Sequence, residues 1–270
     1  MNGSAKSSYC VHHVRDLGAG GIGTVDEVVV TESYGQPPVG TRMARKQLNA
    51  RWRNHPEMQE RFEREIDLLG RMNHPNIVRL EGVSLSPGER FYVMPLYTHS
   101  LRSVLVSGPH ARSPIEVARF GALLARAMHY AHGMNFIHRD LKPENILIRG
   151  NEVVIADWGV GQFIHRESKV LDLTIGGLGT QYYCSAEQWS TGRCDERGDI
   201  YSLGVLLAEM VAGRATPIHP VGAGIRVDVA PLNTRAGQML NSILRQMTAP
   251  VPSMRPASMA VVAEALTQVG

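Results

Sequence analysis

The feature that most constrains the fold is a short segment rich in ionisable side chains that lies between two apolar stretches. Residues 138–145 read His-Arg-Asp-Leu-Lys-Pro-Glu-Asn, after an apolar helical run and directly before Ile146, Leu147 and Ile148. Burying charged groups between two core segments is unfavourable unless they are paired. The chain must therefore pair these groups or use them for chemistry. Residues 138–145 are called the polar segment below.

A glycine-rich segment lies near the N-terminus. Its three spaced glycines are Gly18, Gly20 and Gly23. Glycine lets the backbone approach a phosphate closely, but this spacing fits a Rossmann dinucleotide site as well as a hairpin that covers a nucleotide. A Rossmann loop opens a helix, whereas Thr24, Val25 and residues 28–30 are β-branched and favour a strand. The sequence therefore favours a hairpin, with the Rossmann site as the alternative.

Two charged residues on neighbouring elements are predicted to pair. Alternation in the third predicted strand puts Ala44 and Lys46 on one face. Residues 56–72 follow a helical period, and their apolar stripe contains Glu65. An inward carboxylate needs a cation, so Lys46 is expected to pair with Glu65, while Glu63 lies off the stripe.

Composition and cysteine content exclude several classes of protein. The 270 residues are 43% hydrophobic and 20% charged with a net charge of +3, which indicates a globular core and no attraction to nucleic acid or a membrane surface. Cys10, Cys184 and Cys194 suggest reduced thiols in a cytoplasmic protein. The first ten residues lack a signal-peptide core, and no run of about 18 apolar residues predicts a membrane span.

The helix predicted after residue 113 has a clear start. Ser113, Pro114 and Glu116 form a capping box with proline at the first helical position. His129 and His132 fall near its end, and their spacing to other histidines or cysteines builds no metal site. We expect them to be structural or solvent-exposed.

These residues resemble the sequence motifs of protein kinases. The polar segment matches the catalytic-loop motif in its serine/threonine form at every position, and residues 18–25 match the glycine-rich loop. The other matches, in chain order, are Ala44 and Lys46, Glu65, residues 157–159, residues 179–187, residues 199–204 and Arg255. The matches occur in the order typical of the family.

The resemblance implies an α+β, bilobal, protein-kinase-like fold. An N-lobe of five antiparallel strands with one main helix would span residues 14–94. A hinge at residues 95–97 would follow, and then a mostly helical C-lobe at residues 98–270. Residues 1–13 would be a polar N-terminal extension.

Further contacts are implied in the C-lobe. Asp199 would cap backbone N–H groups of the polar segment, and Glu187 would pair with Arg255. Two positions depart from the family pattern. Trp158 replaces a phenylalanine and should keep its packing role, while Ala186 replaces a proline and removes no catalytic group.

The activity implied is that of a serine/threonine protein kinase that uses ATP and Mg²⁺ on a protein substrate. Asp140 would accept the proton of the substrate hydroxyl, and Lys142 would stabilise the transferring phosphoryl group. Lys46, held by Glu65, would anchor the phosphates. An inactive relative that serves as a scaffold is the alternative, and it would be favoured by loss of Lys46, Asp140 or Asp157, all of which are present.

The remaining implied roles concern binding and modification. ATP would contact Gly18, Gly20, Gly23, Val25, Ala44, Lys46, Met94, Leu96 and Leu147, with Met94 as gatekeeper. Asn145 and Asp157 would hold Mg²⁺. Autophosphorylation is expected first at Thr174 and then at Ser168, because a phosphate there would pair with Arg139. No nucleic acid or membrane partner is expected, and the oligomeric state stays open.

Overall fold

The computed structural model describes residues 9–20, 22–86, 89–107, 111–160, 162–163, 182–213, 230–231 and 233–270. The chain divides into two compact units. The first comprises Met1–Asn73 and Ile77–Thr98, and the second comprises His74–Asn76 and His99–Gly270. The lobe and hinge boundaries stay predictions.

The described strands form one sheet in the first unit and two small sheets in the second. In chain order they are β1 (Tyr9–Ala19), β2 (Gly23–Ser33), β3 (Arg42–Leu48), β4 (Gly82–Ser86), β5 (Glu89–Pro95), β6 (His99–Ser100), β7 (Phe136–Ile137), β8 (Ile146–Arg149), β9 (Glu152–Ile155) and β10 (Gln162–Phe163). The first sheet has the order β1-β2-β3-β5-β4 with antiparallel neighbours. The small sheets are β6-β8-β9 and β10-β7.

The described α-helices are concentrated in the second unit. They are α1 (Pro56–Arg71) in the first unit and α2 (Leu101–Val106), α3 (Pro114–Gly133), α4 (Ala186–Thr191), α5 (Glu196–Ala212), α6 (Arg235–Met247) and α7 (Met259–Thr267) in the second. The five strands and one main helix expected in the N-lobe are present in the first unit. Helix α5 is buried over most of its length, as expected of a helix that is apolar on all sides.

The first strand begins earlier than expected. It starts at Tyr9, inside the segment assigned to a polar extension, because Tyr9 and Val11 pack on a buried cluster on one face of the sheet. That cluster consists of Val28, Val30, Met43 and Val93. Strand β5 also runs through Pro95, the first residue of the predicted hinge. Helix α5 begins at Glu196, with Asp195 as its N-cap.

Helix α3 begins at the predicted capping box. Ser113 Oγ accepts from the Glu116 N–H at 3.3 Å, and the Glu116 carboxylate accepts from the Ser113 N–H at 3.1 Å. Two backbone donors at the helix start are satisfied in this way. No helix among the described residues is long and apolar enough to cross a membrane.

Replacing Ser113 with alanine should lower the free energy of unfolding by about 1 kcal/mol, because loss of the hydroxyl leaves the Glu116 N–H without its acceptor. Denaturant unfolding of the purified protein measures this change. Ser190→Ala, at an exposed helical serine, is the matched control and should cost less than about 0.5 kcal/mol. Equal losses in the two variants would show that the capping box does not stabilise α3.

Candidate functional site

Lys46 and Glu65 form a buried ion pair within the first unit. Their side chains are 10% and 1% exposed. The Lys46 ammonium donates to both carboxylate oxygens of Glu65, at 2.7 Å and 2.8 Å. The predicted pair is therefore present, and the competitor Glu63 accepts instead from Arg90 at 2.8 Å.

Tyr92 on β5 is a third member of this group that the sequence analysis missed. Its hydroxyl donates to Glu65 Oε1 at 2.9 Å, and its ring centroid lies 5.8 Å from Lys46 Nζ. Tyr92 is directly opposite Lys46 in the pairing of β3 with β5, so the two side chains share a face. Strand alternation was thus the signal that could have identified it.

One face of the five-stranded sheet carries the side chains predicted to face the nucleotide. Val25 is opposite Lys46, and Ala44 is opposite Met94. Because opposite residues share a face and alternate residues along a strand do too, these four lie together. Ala44 and Met94 are buried, whereas Val25 and Leu96 are half-buried.

Gly18 lies in β1 and Gly23 begins β2, so a strand follows the glycines and the Rossmann alternative, which needs a helix there, is wrong. The Gly20 N–H donates to the Gly23 carbonyl at 2.8 Å. A Cβ added at Gly23 would lie 2.8 Å from the backbone oxygen of Gln47 on β3, whereas one at Gly18 would meet no described heavy atom within 4 Å. Close approach of β3 therefore explains Gly23, while packing does not explain Gly18.

In the second unit, Asp140 is the centre of a hydrogen-bonded cluster. Lys142 Nζ donates to Asp140 Oδ2 at 2.7 Å. The Asn145 amide donates to the same oxygen at 3.1 Å and to the Asp140 backbone carbonyl at 2.7 Å. The other carboxylate oxygen, Oδ1, is buried and has no hydrogen-bond partner within the described part of the chain. A buried oxygen of this kind is unfavourable unless a ligand donates to it.

Burial raises the pKa of Asp140 above its ordinary value. The ion pair with Lys142 opposes this rise, and the charge of Asp157 adds to it. A carboxylate with a raised pKa takes up a proton more readily, which suits a general base. Perturbed carboxylates with defined charged neighbours are typical of catalytic sites.

Asp199 on α5 holds the backbone of the polar segment. Its two carboxylate oxygens accept from the N–H groups of His138 and Arg139, both at 2.8 Å. His132 Nε2 lies 2.9 Å from Asp199 Oδ2. Burial alone would raise the pKa of Asp199, but the hydrogen bond from His132 and the nearby His138 lower it. The predicted cap by Asp199 and the structural role of His132 are both confirmed.

Arg139 and Asp157 have left-handed backbone, with φ of 65° and 61°. This conformation costs an L-residue on the order of 1–2 kcal/mol, and such residues cluster at functional sites. Gln188 on α4 donates its side-chain amide to the Arg139 carbonyl at 2.7 Å and so helps to fix this turn. No sequence signal identified Gln188.

The segment that follows β9 is hydrogen-bonded to the polar segment. The Ala156 N–H donates to the Asn145 carbonyl at 2.8 Å. The rings of His138 and Trp158 lie 4.6 Å apart, and Trp158 Nε1 donates to the Ile155 carbonyl at 3.3 Å. The tryptophan therefore packs against His138 and adds a hydrogen bond that phenylalanine cannot make.

The predicted pair of Glu187 and Arg255 is present and bidentate. Arg255 donates to the two carboxylate oxygens at 2.7 Å and 3.0 Å, and its side chain is fully buried. Burial opposes ionisation of Glu187, but the hydrogen bonds from Arg255 lower its pKa below the ordinary value. Ala186 opens α4 next to this pair, so the missing proline does not prevent it.

Asn145 and Asp157 are the predicted Mg²⁺ ligands. Because the Asn145 NH₂ group bonds Asp140, its amide oxygen is the atom that can ligate a cation. No group of three or more His, Cys, Asp or Glu side chains within the described ranges is arranged to hold a metal ion. Mg²⁺ is commonly bound by one or two protein carboxylates together with phosphate and water oxygens. This pair of donors fits that ion.

Lysine is rare in this chain. Lys6, Lys46, Lys142 and Lys169 are its four lysines, and the other 24 of the 28 basic residues are arginine. Lys46 and Lys142 are the two within the described residues, and each is ion-paired with a carboxylate of the candidate site. A compact ammonium with rotatable donors is suited to changing phosphate geometry.

The predicted site residues divide between the two units. Those from Gly18 to Leu96 belong to the first unit, and Asp140, Leu147 and Asp157 are among those in the second. Leu147 is half-buried on β8. The predicted phosphorylation sites, Ser168 and Thr174, lie outside the described residues.

Comparison with known proteins gives a consistent result. A family model described as protein kinase domain matches residues 11–264. Serine/threonine-protein kinase pkn2 of Myxococcus xanthus is 33% identical over 270 residues, which cover 94% of this chain and 31% of that protein. Probable serine/threonine-protein kinase PknB of Bifidobacterium longum is 33% identical over 210 residues, which cover 73% of this chain and 29% of that protein. The chain thus spans about a third of the length of these curated relatives.

A solved structure shows the same architecture. The kinase domain of Mycobacterium tuberculosis PknI matches with a TM-score of 0.70 at 23% sequence identity, covering 100% of this chain and 99% of that one. The fold class predicted from the sequence is confirmed.

Proposed function

The chain belongs to the protein kinase domain family, and from that membership we propose that it transfers the γ-phosphate of ATP to serine or threonine hydroxyls of a protein substrate. The observation that carries the proposal is the buried Asp140 carboxylate, with one oxygen bonded by Lys142 and Asn145 and the other available to a hydroxyl. The serine/threonine form of the polar segment and the names of both relatives support the substrate class.

Asp140 and Lys142 act on the substrate in this proposal. Asp140 Oδ1 accepts the hydrogen bond of the attacking hydroxyl, orients it and takes its proton. The Lys142 ammonium, held 2.7 Å from Oδ2, keeps the carboxylate ionised and stabilises negative charge on the phosphoryl group.

Lys46 positions the phosphates. Its bonds to Glu65, and the bond from Tyr92 to the same carboxylate, fix the ammonium before ATP binds. A group positioned in advance costs little reorganisation during the reaction. In this proposal the backbone N–H groups of the glycine-rich segment cover the phosphates. Side chains on the face shared by Val25, Ala44 and Met94, together with Leu96 and Leu147, contact the adenine.

Asn145 and Asp157 are the residues that would hold Mg²⁺. When bound, the ion neutralises negative charge on the phosphate oxygens. The left-handed backbone at Asp157 supports a functional constraint there, since residues in this conformation cluster at functional sites.

Incubation of the purified chain with γ-labelled ATP and a generic basic protein tests the proposal. We expect label on the protein substrate, found as phosphoserine or phosphothreonine after hydrolysis, only when Mg²⁺ is present. The same experiment with Asp140→Asn is the control for a contaminating kinase. The proposal fails if the purified wild-type chain incorporates no label, or if the variant incorporates as much.

Autophosphorylation is proposed at Thr174 and, second, at Ser168. The buried Arg139 next to Asp140 supplies a cation that a phosphate could pair with in charge-assisted hydrogen bonds. Phosphopeptide mapping of active protein should find phosphate at Thr174, and Thr174→Ala should lower turnover. Active protein without phosphate at either residue, together with full activity of Thr174→Ala, contradicts this prediction.

A further inference from the structure

An arginine on α2 occupies an anionic pocket that has no role in the mechanism above. Arg102 donates through Nε to Glu144 at 2.8 Å, through Nη1 to Glu209 at 2.5 Å and through Nη2 to the Tyr183 hydroxyl at 2.5 Å. The Tyr183 hydroxyl donates in turn to the other oxygen of Glu209. Acceptors therefore meet every nitrogen of the guanidinium group.

The charges of this pocket suit a guanidinium group. Two carboxylates face one cation, and Glu209 is only 4% exposed. Burial disfavours the charged form of Arg102, yet the hydrogen bonds to Glu209 and Glu144 raise its pKa. Burial and the bond to Glu209 also raise the pKa of Tyr183, so its hydroxyl stays neutral. Without Arg102, the described residues of the pocket would be two carboxylates and a neutral hydroxyl, with no cation among them.

The pocket adjoins the candidate catalytic residues within the second unit. Glu144 belongs to the polar segment, four residues after Asp140. It directly precedes Asn145, whose amide bonds Asp140. An extended peptide spans about 3.3–3.6 Å per residue. A side chain within a few positions of a hydroxyl at Asp140 is therefore expected to come close to Glu144.

We propose that Arg102 is a specificity-determining residue. Its own guanidinium group fills a pocket that would otherwise bind a basic side chain of the substrate near the acceptor hydroxyl. The inference rests on the proposed function. It implies that the wild-type chain has no preference for arginine close to the phosphorylated residue. Removal of the Arg102 guanidinium should create that preference, because both carboxylates and the Tyr183 hydroxyl remain in place.

Matched peptides test the specificity. Each carries one serine, with arginine or alanine placed in turn at the four positions on either side. For Arg102→Ala, the kcat/KM of the arginine peptide should exceed that of the alanine peptide by about tenfold or more at one of these peptide positions. That ratio is the size expected for hydrogen bonds to charged groups. In the wild type the ratio should stay below about threefold at all positions. Arg149→Ala, which removes an exposed arginine paired with Glu152, is the matched control and should behave as the wild type.

Binding of a small guanidinium ion tests the pocket without any enzyme assay. Ethylguanidinium at about 10 mM should raise the thermal midpoint of Arg102→Ala more than ethylammonium does, by mass action on the folded state. Wild type and Arg149→Ala should respond equally to the two salts. If Arg102→Ala does not fold, Arg102→Gln, which keeps one amide donor to the pocket, is used in both experiments.

The outcomes separate the two proposals. An active wild type with no gain of arginine preference in either Arg102 variant overturns the inference and leaves the proposed function intact. The inference is also overturned if the wild type already prefers the arginine peptide by about tenfold and the Arg102 variants keep that preference. A wild type that labels neither the peptides nor the generic basic protein, while ethylguanidinium selectively stabilises Arg102→Ala, overturns the proposed function and supports the guanidinium pocket.

Discussion

The Asp140→Asn variant is expected to lose at least about 100-fold in turnover and to keep its fold. Asparagine has the same shape as aspartate and can still accept from Lys142 and Asn145 through its amide oxygen. It cannot take a proton from a hydroxyl at neutral pH. Burial already disfavours the charged form of Asp140, so a neutral side chain there should not lower the stability of the protein.

Initial rates with saturating ATP, together with thermal unfolding, measure this prediction. Asp16→Asn is the control, since the Asp16 side chain is 93% exposed and its replacement should change neither quantity. Wild-type turnover should also fall on acidification at a pH above 3.8, the ordinary aspartate pKa, because the base must be ionised and the pKa of Asp140 is raised. Near wild-type turnover in Asp140→Asn would remove Asp140 from the mechanism.

Lys46→Met is expected to lower turnover by about 100-fold and to weaken ATP binding by less than about tenfold. The ammonium orients phosphates in the transition state more than it binds the rest of the nucleotide. Its loss also leaves the buried Glu65 carboxylate without the Lys46 cation, although Tyr92 still donates to it, and removing one partner of a buried ion pair costs on the order of 3–5 kcal/mol. Assays must therefore be run well below the thermal midpoint of the variant.

Calorimetry of nucleotide binding beside a turnover assay separates the two effects. Arg90→Met is the matched control, because it also removes a cation paired with an α1 carboxylate, Glu63, outside the proposed machinery. Its turnover should stay within about threefold of the wild type. If binding and turnover fall by the same factor in Lys46→Met, the lysine contributes uniform binding and its proposed role is wrong.

The polar contacts that sequence reasoning predicted share one property, which is that a charged or capping residue stands out against an apolar pattern. Glu65 interrupts a hydrophobic stripe and therefore demanded a cation. Ser113 and Glu116 sit at the fixed spacing of a capping box. Asp199 lies in the first turn of α5, and its cap was implied by the resemblance to protein kinases. For Glu65 and the capping box a local rule named the residue, and the fold supplied the partner.

The contacts that were not predicted are made by residues without such a local signal. Gln188 bonds a carbonyl that is 49 positions away in the chain, and Arg102 bonds Glu209 across 107 positions. Both look like ordinary polar residues on helices. The early start of β1 was missed because Tyr9 and Val11 stand among polar neighbours, and only pairing with β2 buries part of their surface. These contacts depend on tertiary packing, which no short window of sequence contains.

Because lysine is scarce in this chain, chemical labelling of amines reports on few positions of the protein. Amine-selective reagents can modify four side chains in the whole chain, so the positive charge of the arginine side chains would survive treatment. The Lys46 and Lys142 side chains are only 10% and 18% exposed and their amines are paired with carboxylates, so a reagent reaches each amine when its ion pair opens. The labelling rate at each lysine therefore reports how often its ion pair opens, and two peptides in one mass spectrum follow both units of the protein at once.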